Sequence, residues 1–398
     1  MKLHTILVFI IGINLTTLSQ SEAQKAWSVW NDQEASNKDR LEAIQYLSWF
    51  EYVVTNPDSS FLLAQYQYDL AVKTENDLHK GNARNTQAMA LYHKGKFDSS
   101  IVYNNMALSI YKKMNLKNGI AISYNNLGLN YERKGHFDKA IGSYEESIKI
   151  MQSINNQIGI ARSLNNIGII YKKIEEYELA INSFEESYRI KLSEGDTLGC
   201  SNSLNNIGLV YKAKGAHDRA LEIFLEAADI KKRYEDFHSL AETNNNIGNT
   251  FLIKGNLPEA LVYCKKSLAL SRKLKDDDAI ANSLHIMSNI YREDGHLKKS
   301  EKTGEEGLKI ALKNKSAQNI YDMSWSLYQT KKALGKHEEA LDNYILYIKY
   351  KDELSKKDIH RAAVKTFYQW DFEKKAIQDS LENEKEKELI QVKLDEEK

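Results

Sequence analysis

A six-residue frame returns every forty residues through the middle of this chain with no slip of phase, and nothing else in it restricts the fold as tightly. It reads Asn126-Leu127-Gly128-Leu129-Asn130-Tyr131, then Asn166-Ile167-Gly168-Ile169-Ile170-Tyr171, then Asn206-Ile207-Gly208-Leu209-Val210-Tyr211. It comes again as Asn246-Ile247-Gly248-Asn249-Thr250-Phe251 and weakens at Met287-Ser288-Asn289-Ile290-Tyr291. A period of this size marks a stack of helical units in which each unit contacts only its neighbours. The usual reading of 398 residues as two or three domains therefore does not apply.

Each period reads as two antiparallel helices. In the best-formed unit the first helix is expected from about Ile120 to Arg133, the turn at Lys134-Gly135-His136-Phe137-Asp138, and the second helix from about Lys139 to Met151. Glycine ends the first helix because it takes a left-handed backbone without steric cost. It recurs in phase as Gly95, Gly135, Gly215, Gly255, Gly295 and Gly335, with Glu175 the exception. Asp98, Asp138 and Asp218 are expected to cap the second helices. Only two prolines, Pro57 and Pro258, interrupt the chain, which suits a helical protein.

Helical spacing also supplies the core. Leu127 and Tyr131 share a face, with Gly128 between them as a flat spot for a neighbouring helix. On the second helix Ala140, Tyr144 and Ser147 form a matching stripe, repeated as Ala180, Phe184, Ser187 and as Ala220, Phe224, Ala227. This pattern of small and bulky residues resembles the tetratricopeptide repeat family, most specifically in the units from 119 to 278. Its longer period is similar to repeats of kinesin light chains and of many bacterial signalling proteins. The resemblance implies an all-α fold, an α-α superhelix of helix-turn-helix repeats. Extending the frame outward gives about eight repeats over 39–355, after a short segment at 24–38. A charged helical extension is expected at 356–398, where Phe367, Trp370, Ile377 and Leu381 form a stripe that lapses at Glu382-Asn383-Glu384-Lys385.

The first 23 residues have the pattern of a signal peptide: Lys2, an apolar run from Ile6 to Leu15, and small residues at Ser21-Glu22-Ala23. The run is short for a bilayer span, so export to the periplasm is expected. A membrane anchor is expected only if an apolar segment follows residue 398.

Several function classes are disfavoured. Basic and acidic residues balance at 55 each, and no basic stripe interleaved with aromatics suggests nucleic acid. No phosphate loop, dinucleotide fingerprint or nucleophile elbow occurs, so no catalytic residue and no cofactor is expected, and the chain is read as a non-enzyme. His136, His217, His296 and His337 fall near turns, but one histidine per repeat cannot converge on one metal when packed helices stand about 8–10 Å apart. Cys200 and Cys264 lie in different repeats. Cys264 takes the position of Tyr144, Phe184 and Phe224 and reads as a small apolar filler.

The candidate site is a ladder of paired asparagines: Asn125-Asn126, Asn165-Asn166, Asn205-Asn206 and Asn245-Asn246. Asparagine is disfavoured inside a helix by about 0.5–0.7 kcal/mol relative to alanine, so its recurrence requires a compensating role. The resemblance implies one, because in that family this stripe lines a concave groove where asparagines hold an extended peptide's main chain. An amide carries both donor and acceptor and suits that task. The alternative role is structural, bonding between adjacent repeats. Asn125, Asn165, Asn205 and Asn245 are the primary candidates for partner contact, with Arg162, Asn202, Lys172, Lys212 and Asn249 as variable neighbours on the same face. Family members that bind a terminal carboxylate carry lysine where Asn125, Asn165 and Asn205 stand, so that mode is not expected. A second expectation comes from the similarity of the 372–381 segment to sensor portions of bacterial membrane signalling proteins. There the array would precede a kinase, cyclase or DNA-binding output domain.

Overall fold

The computed structural model describes residues 21–354, and every regular element among them is helical. The body of the expected signal peptide and the expected C-terminal helix lie outside the described residues. Of the expected leader only Ser21-Glu22-Ala23 is described, where Ser21 caps a first helix, α1 (Glu22–Asn31), in a reciprocal box with Gln24.

The chain forms two compact bodies, divided after Asn115. The N-terminal body continues with α2 (Asn37–Tyr46), a π turn at Leu47–Glu51, α3 (Pro57–Lys73), α4 (Asp77–His93) and α5 (Phe97–Lys113). Small residues let its helices close: the Ser60 hydroxyl donates to the Ser48 carbonyl and the Ser100 hydroxyl to the Ala88 carbonyl, both at 2.7 Å. Arg84 lies over the Tyr68 ring at 3.5 Å from its centroid, and the Tyr111 hydroxyl donates to Asn82 at 2.8 Å.

The C-terminal body holds the regular repeats as hairpins. Its helices are α6 (Lys117–Arg133), α7 (Phe137–Ser153), α8 (Gln157–Lys173), α9 (Tyr177–Ser193), α10 (Thr197–Ala213) and α11 (His217–Arg233). They are followed by α12 (Phe237–Ile253), α13 (Leu257–Leu274), α14 (Asp277–Glu293), α15 (Leu297–Asn314), α16 (Ala317–Ala333) and α17, described over 337–354. Each helix packs on the next in sequence, and the first helices of successive hairpins also touch, α6 on α8 and so on to α14 on α16. The first helices therefore line the inner face of this body.

The glycine-on-ring logic holds in each regular repeat. A methyl group placed on Gly128 would stand 2.5 Å from the Tyr144 ring, on Gly168 2.7 Å from Phe184, and on Gly208 2.6 Å from Phe224. At Gly248 the obstruction is the Cys264 sulfur at 2.5 Å. Tyr144, Phe184, Phe224 and Cys264 are all fully buried, as are Ala140, Ala180, Ala220 and Ala260. A hairpin thus closes on an aromatic ring laid where a side chain would otherwise be. Both cysteines are free and buried, and burial pushes the Cys264 thiol up to about 12.

Two expectations need correction. The first turn is tighter than expected: Phe137 and Asp138 already belong to α7, whose N-cap His136 makes no side-chain capping bond. Asp98, Asp138 and Asp218 consequently sit one residue inside their helices, as first-turn acids rather than caps. There they meet the positive end of the helix dipole, and Asp218 pairs with Lys254 as Asp58 does with Lys94. Most side-chain caps of this body lie at the other turn, where Asn156, Asp196, Asp236 and Asp276 accept from the backbone of Gly159, Gly199, Ser239 and Ala279 at 2.8–3.2 Å, while Asn256 caps α13 at the glycine turn.

That other turn also has a left-handed residue in every repeat, a feature hidden in the sequence because only Gly195 is a glycine there. Glu75, Asn115, Asn155, Glu235, Lys275 and Lys315 take φ between 52° and 56°. The expected glycine series is present at φ 70° to 79°, and Glu175 adopts φ 64° in its place. Both turns close by the same bond, from the N–H following the left-handed residue back to the last helical turn: Asn76 to Ala71 at 2.8 Å and His136 to Tyr131 at 2.9 Å.

Candidate binding face

The paired asparagines lie on the inner face of the C-terminal body, on α6, α8, α10 and α12. The second asparagine of one repeat donates its side-chain N–H to the side-chain oxygen of the first asparagine one repeat earlier. Asn166 donates to Asn125 at 3.1 Å, Asn206 to Asn165 at 2.9 Å and Asn246 to Asn205 at 3.3 Å. Thr243 adds a bond to Asn205 at 3.1 Å, and Ser163 a long one to Asn125 at 3.5 Å. The structural role considered from the sequence is therefore real.

It does not exhaust these side chains. The ladder occupies the Oδ1 of Asn125, Asn165 and Asn205, while their Nδ2 groups make no bond to another described residue. Asn125 and Asn165 are half-buried and Asn205 is 5% exposed. Each amide is held by its carbonyl and presents its N–H2, so along these three repeats the face offers donors. From the sequence alone each amide offers both donor and acceptor; the ladder leaves the donor. Asn245 differs: it is 2% exposed and neither its oxygen nor its nitrogen has a hydrogen-bond partner among the described residues.

The variable neighbours divide by charge along the face. Arg162 and Asn202 are exposed at equivalent positions of α8 and α10, where α12 carries exposed Glu242 and α14 exposed Asn282. Lys172 and Lys212 are half-buried and form no ion pair among the described residues. Burial lowers both ammonium groups from their ordinary range, and each lysine is further lowered by a cationic neighbour, Lys173 beside Lys172 and Lys172 beside Lys212. Asn249 is half-buried on α12. Nearby Glu132 is engaged by Lys173 at 2.5 Å and by the Tyr144 hydroxyl at 3.3 Å.

Two buried lysines were not singled out from the sequence. Lys191 and Lys231 are 8% and 1% exposed and reach from α9 and α11 to hydroxyls of the following helix, Ser203 at 3.0 Å and Thr243 at 2.9 Å. Burial lowers both, with Asp196 partly opposing it at Lys191 and Glu242 at Lys231. The signal was available in the frame, since the same position is Met151 one repeat before Lys191. A lysine at a core position of a repeat asks for explanation.

Elsewhere, Glu301, Glu305 and Glu339 bring carboxylate oxygens within 4.8 Å of one another. Lysines already neutralise them: Lys331 lies 2.9 Å from both Glu305 and Glu339, and Lys336 2.7 Å from Glu301. His296 pairs with Asp294 at 2.9 Å, and the turn histidines are not brought together into a shared ligand set. No described helix is long and apolar enough to cross a membrane.

The family model for the tetratricopeptide repeat matches residues 79–153, 119–193, 159–233 and 239–313. No curated protein matches the chain. Among solved structures it is similar to the apo form of the quorum sensor NprR from B. thuringiensis, with a TM-score of 0.60 and 14% identity over 80% of this chain and 89% of that one. It is similar to the Rap conjugation gene regulator of the plasmid pLS20 in complex with the Phr* peptide, with a TM-score of 0.59, 13% identity and coverage of 84% and 95%. A Rap protein complexed with competence and sporulation factor gives 0.55, 15%, 85% and 99%. At these identities the likeness is one of fold alone.

Proposed function

The chain belongs to the tetratricopeptide repeat family, and from that premise we propose that its inner face is a non-catalytic receptor for an extended peptide or protein segment. The observation that carries this reading is the half-used amide, a carbonyl fixed by the next repeat and an N–H2 left over, at Asn125, Asn165 and Asn205. A donor held in place before binding loses little freedom when it binds. Its natural counterpart is a main-chain carbonyl, which every residue of a peptide supplies whatever its side chain. Selectivity would then fall to Arg162, Asn202, Lys172, Lys212 and Asn249. The complexes of one protein of similar fold with the Phr* peptide, and of another with competence and sporulation factor, support the reading.

Export belongs to the same proposal. The pattern of residues 1–23 supports delivery to the periplasm, where the receptor would act alone or as the sensing portion of a membrane signalling protein.

Replacing Asn165 and Asn205 by aspartate tests the proposal, because aspartate keeps the oxygen that accepts from Asn206 and Asn246 but lacks the offered N–H2. Panning a random peptide library on the immobilised full chain should enrich binders for the wild type and not for the Asn165→Asp/Asn205→Asp variant. Asn182→Asp, at an exposed position of α9, is the control for added charge. Equal enrichment on both proteins would remove the inner face from the account.

A further inference from the structure

The ladder stops at Asn245, and the reason lies one repeat further on. Each earlier ladder oxygen accepts from the asparagine 41 residues later, but from Asn245 that position is Ile286. The hydroxyl 38 residues on, which in earlier repeats bonds Asn125 and Asn205, is here Ser283, and it is engaged with Ser267 and the Ala279 carbonyl. A side-chain amide 2% exposed is thus left with both ends unpaired among the described residues. Such a group destabilises the fold unless something outside it satisfies the amide.

Asn245 lines a cavity of about 380 Å³ formed by α12, α14 and α16, together with Glu242, Asp276, Asp278, Asn282 and Asn319. The carboxylates are only partly engaged. Asp276 accepts from the Ala279 backbone and from His238 at 3.0 Å, and Asp278 accepts from Asn319 at 3.3 Å. Glu242 has no hydrogen bond or ion pair with a described residue, although it stands near enough to Lys172 and Lys231 to raise both. The N-terminal ends of α14 and α16 also border the cavity, each equivalent to about +0.5 charge. The charged side chains that line the cavity are these three carboxylates, with His238 against Asp276.

We propose that this cavity takes a cationic nitrogen group, a guanidinium or an ammonium, with the Asn245 carbonyl and the three carboxylates as its acceptors. The occupant is the positive group of the segment captured on the inner face, and in that respect the inference rests on the function proposed above. It gives the bound segment a direction: its cationic residue lies at α12–α16, and the part facing Lys172 and Lys212 lies at α8–α10.

Small probes separate this inference from capture of a whole peptide. With full-length protein labelled with nitrogen-15 at asparagine, Nα-acetyl-arginine amide, Nα-acetyl-lysine amide and glycine amide present the guanidinium, the side-chain ammonium and the terminal ammonium in turn. Nα-acetyl-citrulline amide is the neutral counterpart of the first. The Asn245 side-chain resonance should shift with at least one cationic probe and not with citrulline. Glu242→Gln should weaken that probe about tenfold, the loss of one charge-assisted bond. Asn245→Leu should weaken it likewise while raising the thermal midpoint, because it deletes an unpaired buried amide. A purely internal role for Asn245 would lower the midpoint instead, and that result overturns the proposal. So would equal response to arginine and citrulline amides. Response to a cationic probe in a protein that captures no library peptide would uphold the cavity and sink the receptor.

Discussion

Gly208→Ala turns the closure of a hairpin into a measurable sign. Added at Gly208, a Cβ would lie 2.6, 2.7 and 3.1 Å from three carbons of the Phe224 ring, where unstrained carbon contacts begin at 3.4 Å. The ring must retreat by roughly 0.8 Å, the difference between that contact and the shortest approach. It has nowhere free to go, being fully buried and packed with Ala220, Leu221 and Ile247 of the next repeat. Overpacking of this kind costs about 1–3 kcal/mol, whereas alanine gains about 1 kcal/mol over glycine inside a helix. The net expectation is a destabilisation of about 1 kcal/mol, with the strain shared across α10, α11 and α12. Gly142, inside α7, supplies the control: an added Cβ there meets nothing within 4 Å. Gly142→Ala should therefore stabilise by up to about 1 kcal/mol. Urea unfolding followed by circular dichroism gives the overall change. Because repeats open semi-independently, amide exchange in α10 and α11 should speed up in Gly208→Ala and remain unchanged in Gly142→Ala. If Gly208→Ala stabilises the protein as Gly142→Ala does, the close approach of ring and backbone is not what holds glycine in the frame.

Three further outcomes are expected. A double-mutant cycle on Asn165 and Asn206, each changed to alanine, should return a coupling of about 0.5–1.5 kcal/mol for their bond; a coupling near zero in urea unfolding would mean the ladder ties nothing. Glu175→Gly should raise the unfolding free energy by about 1 kcal/mol, since a non-glycine residue at φ 64° is held against its preference, and a lower value would show that Glu175 is retained for its contacts. Lys231→Met should stabilise the chain near neutral pH by on the order of 1–2 kcal/mol, because a buried ammonium is replaced by the residue type found at Met151. The sign with pH follows from the lowered folded-state value of Lys231. Between that value and the unfolded one the unfolded chain holds the extra proton, so wild-type stability rises with pH and the advantage of methionine shrinks toward pH 10.5; a pH-independent difference in unfolding free energy would contradict it.

Much of the asparagine ladder on the candidate face was readable in advance, and the reason is periodicity. Asn125, Asn165, Asn205 and Asn245 stood out because four repetitions separate a rule from an accident. What one repeat cannot reveal is how its side chains engage the next. Whether Asn165 used its oxygen or its nitrogen toward Asn206, and that Asn245 used neither, depended on the residue one period later. Asp138 was misplaced as a cap for a related reason. An acid one residue inside a helix and an acid at its cap look alike in sequence, and only the backbone angles of His136 distinguish them.

By itself the sequence determined the all-α repeat, its forty-residue pitch, the ring-on-glycine closure at Gly128, Gly168 and Gly208, and the small thiol that replaces a ring at Cys264. Those features are local: they follow from which residues recur on which side of a helix. The tertiary structure decided the donor character of the asparagine ladder, the burial of Lys191 and Lys231 against single hydroxyls, and the gathering of Glu242, Asp276 and Asp278 around an unpaired amide. Those depend on groups 12 to 41 residues apart meeting in space, where hydrogen bonding and desolvation set the character of each group.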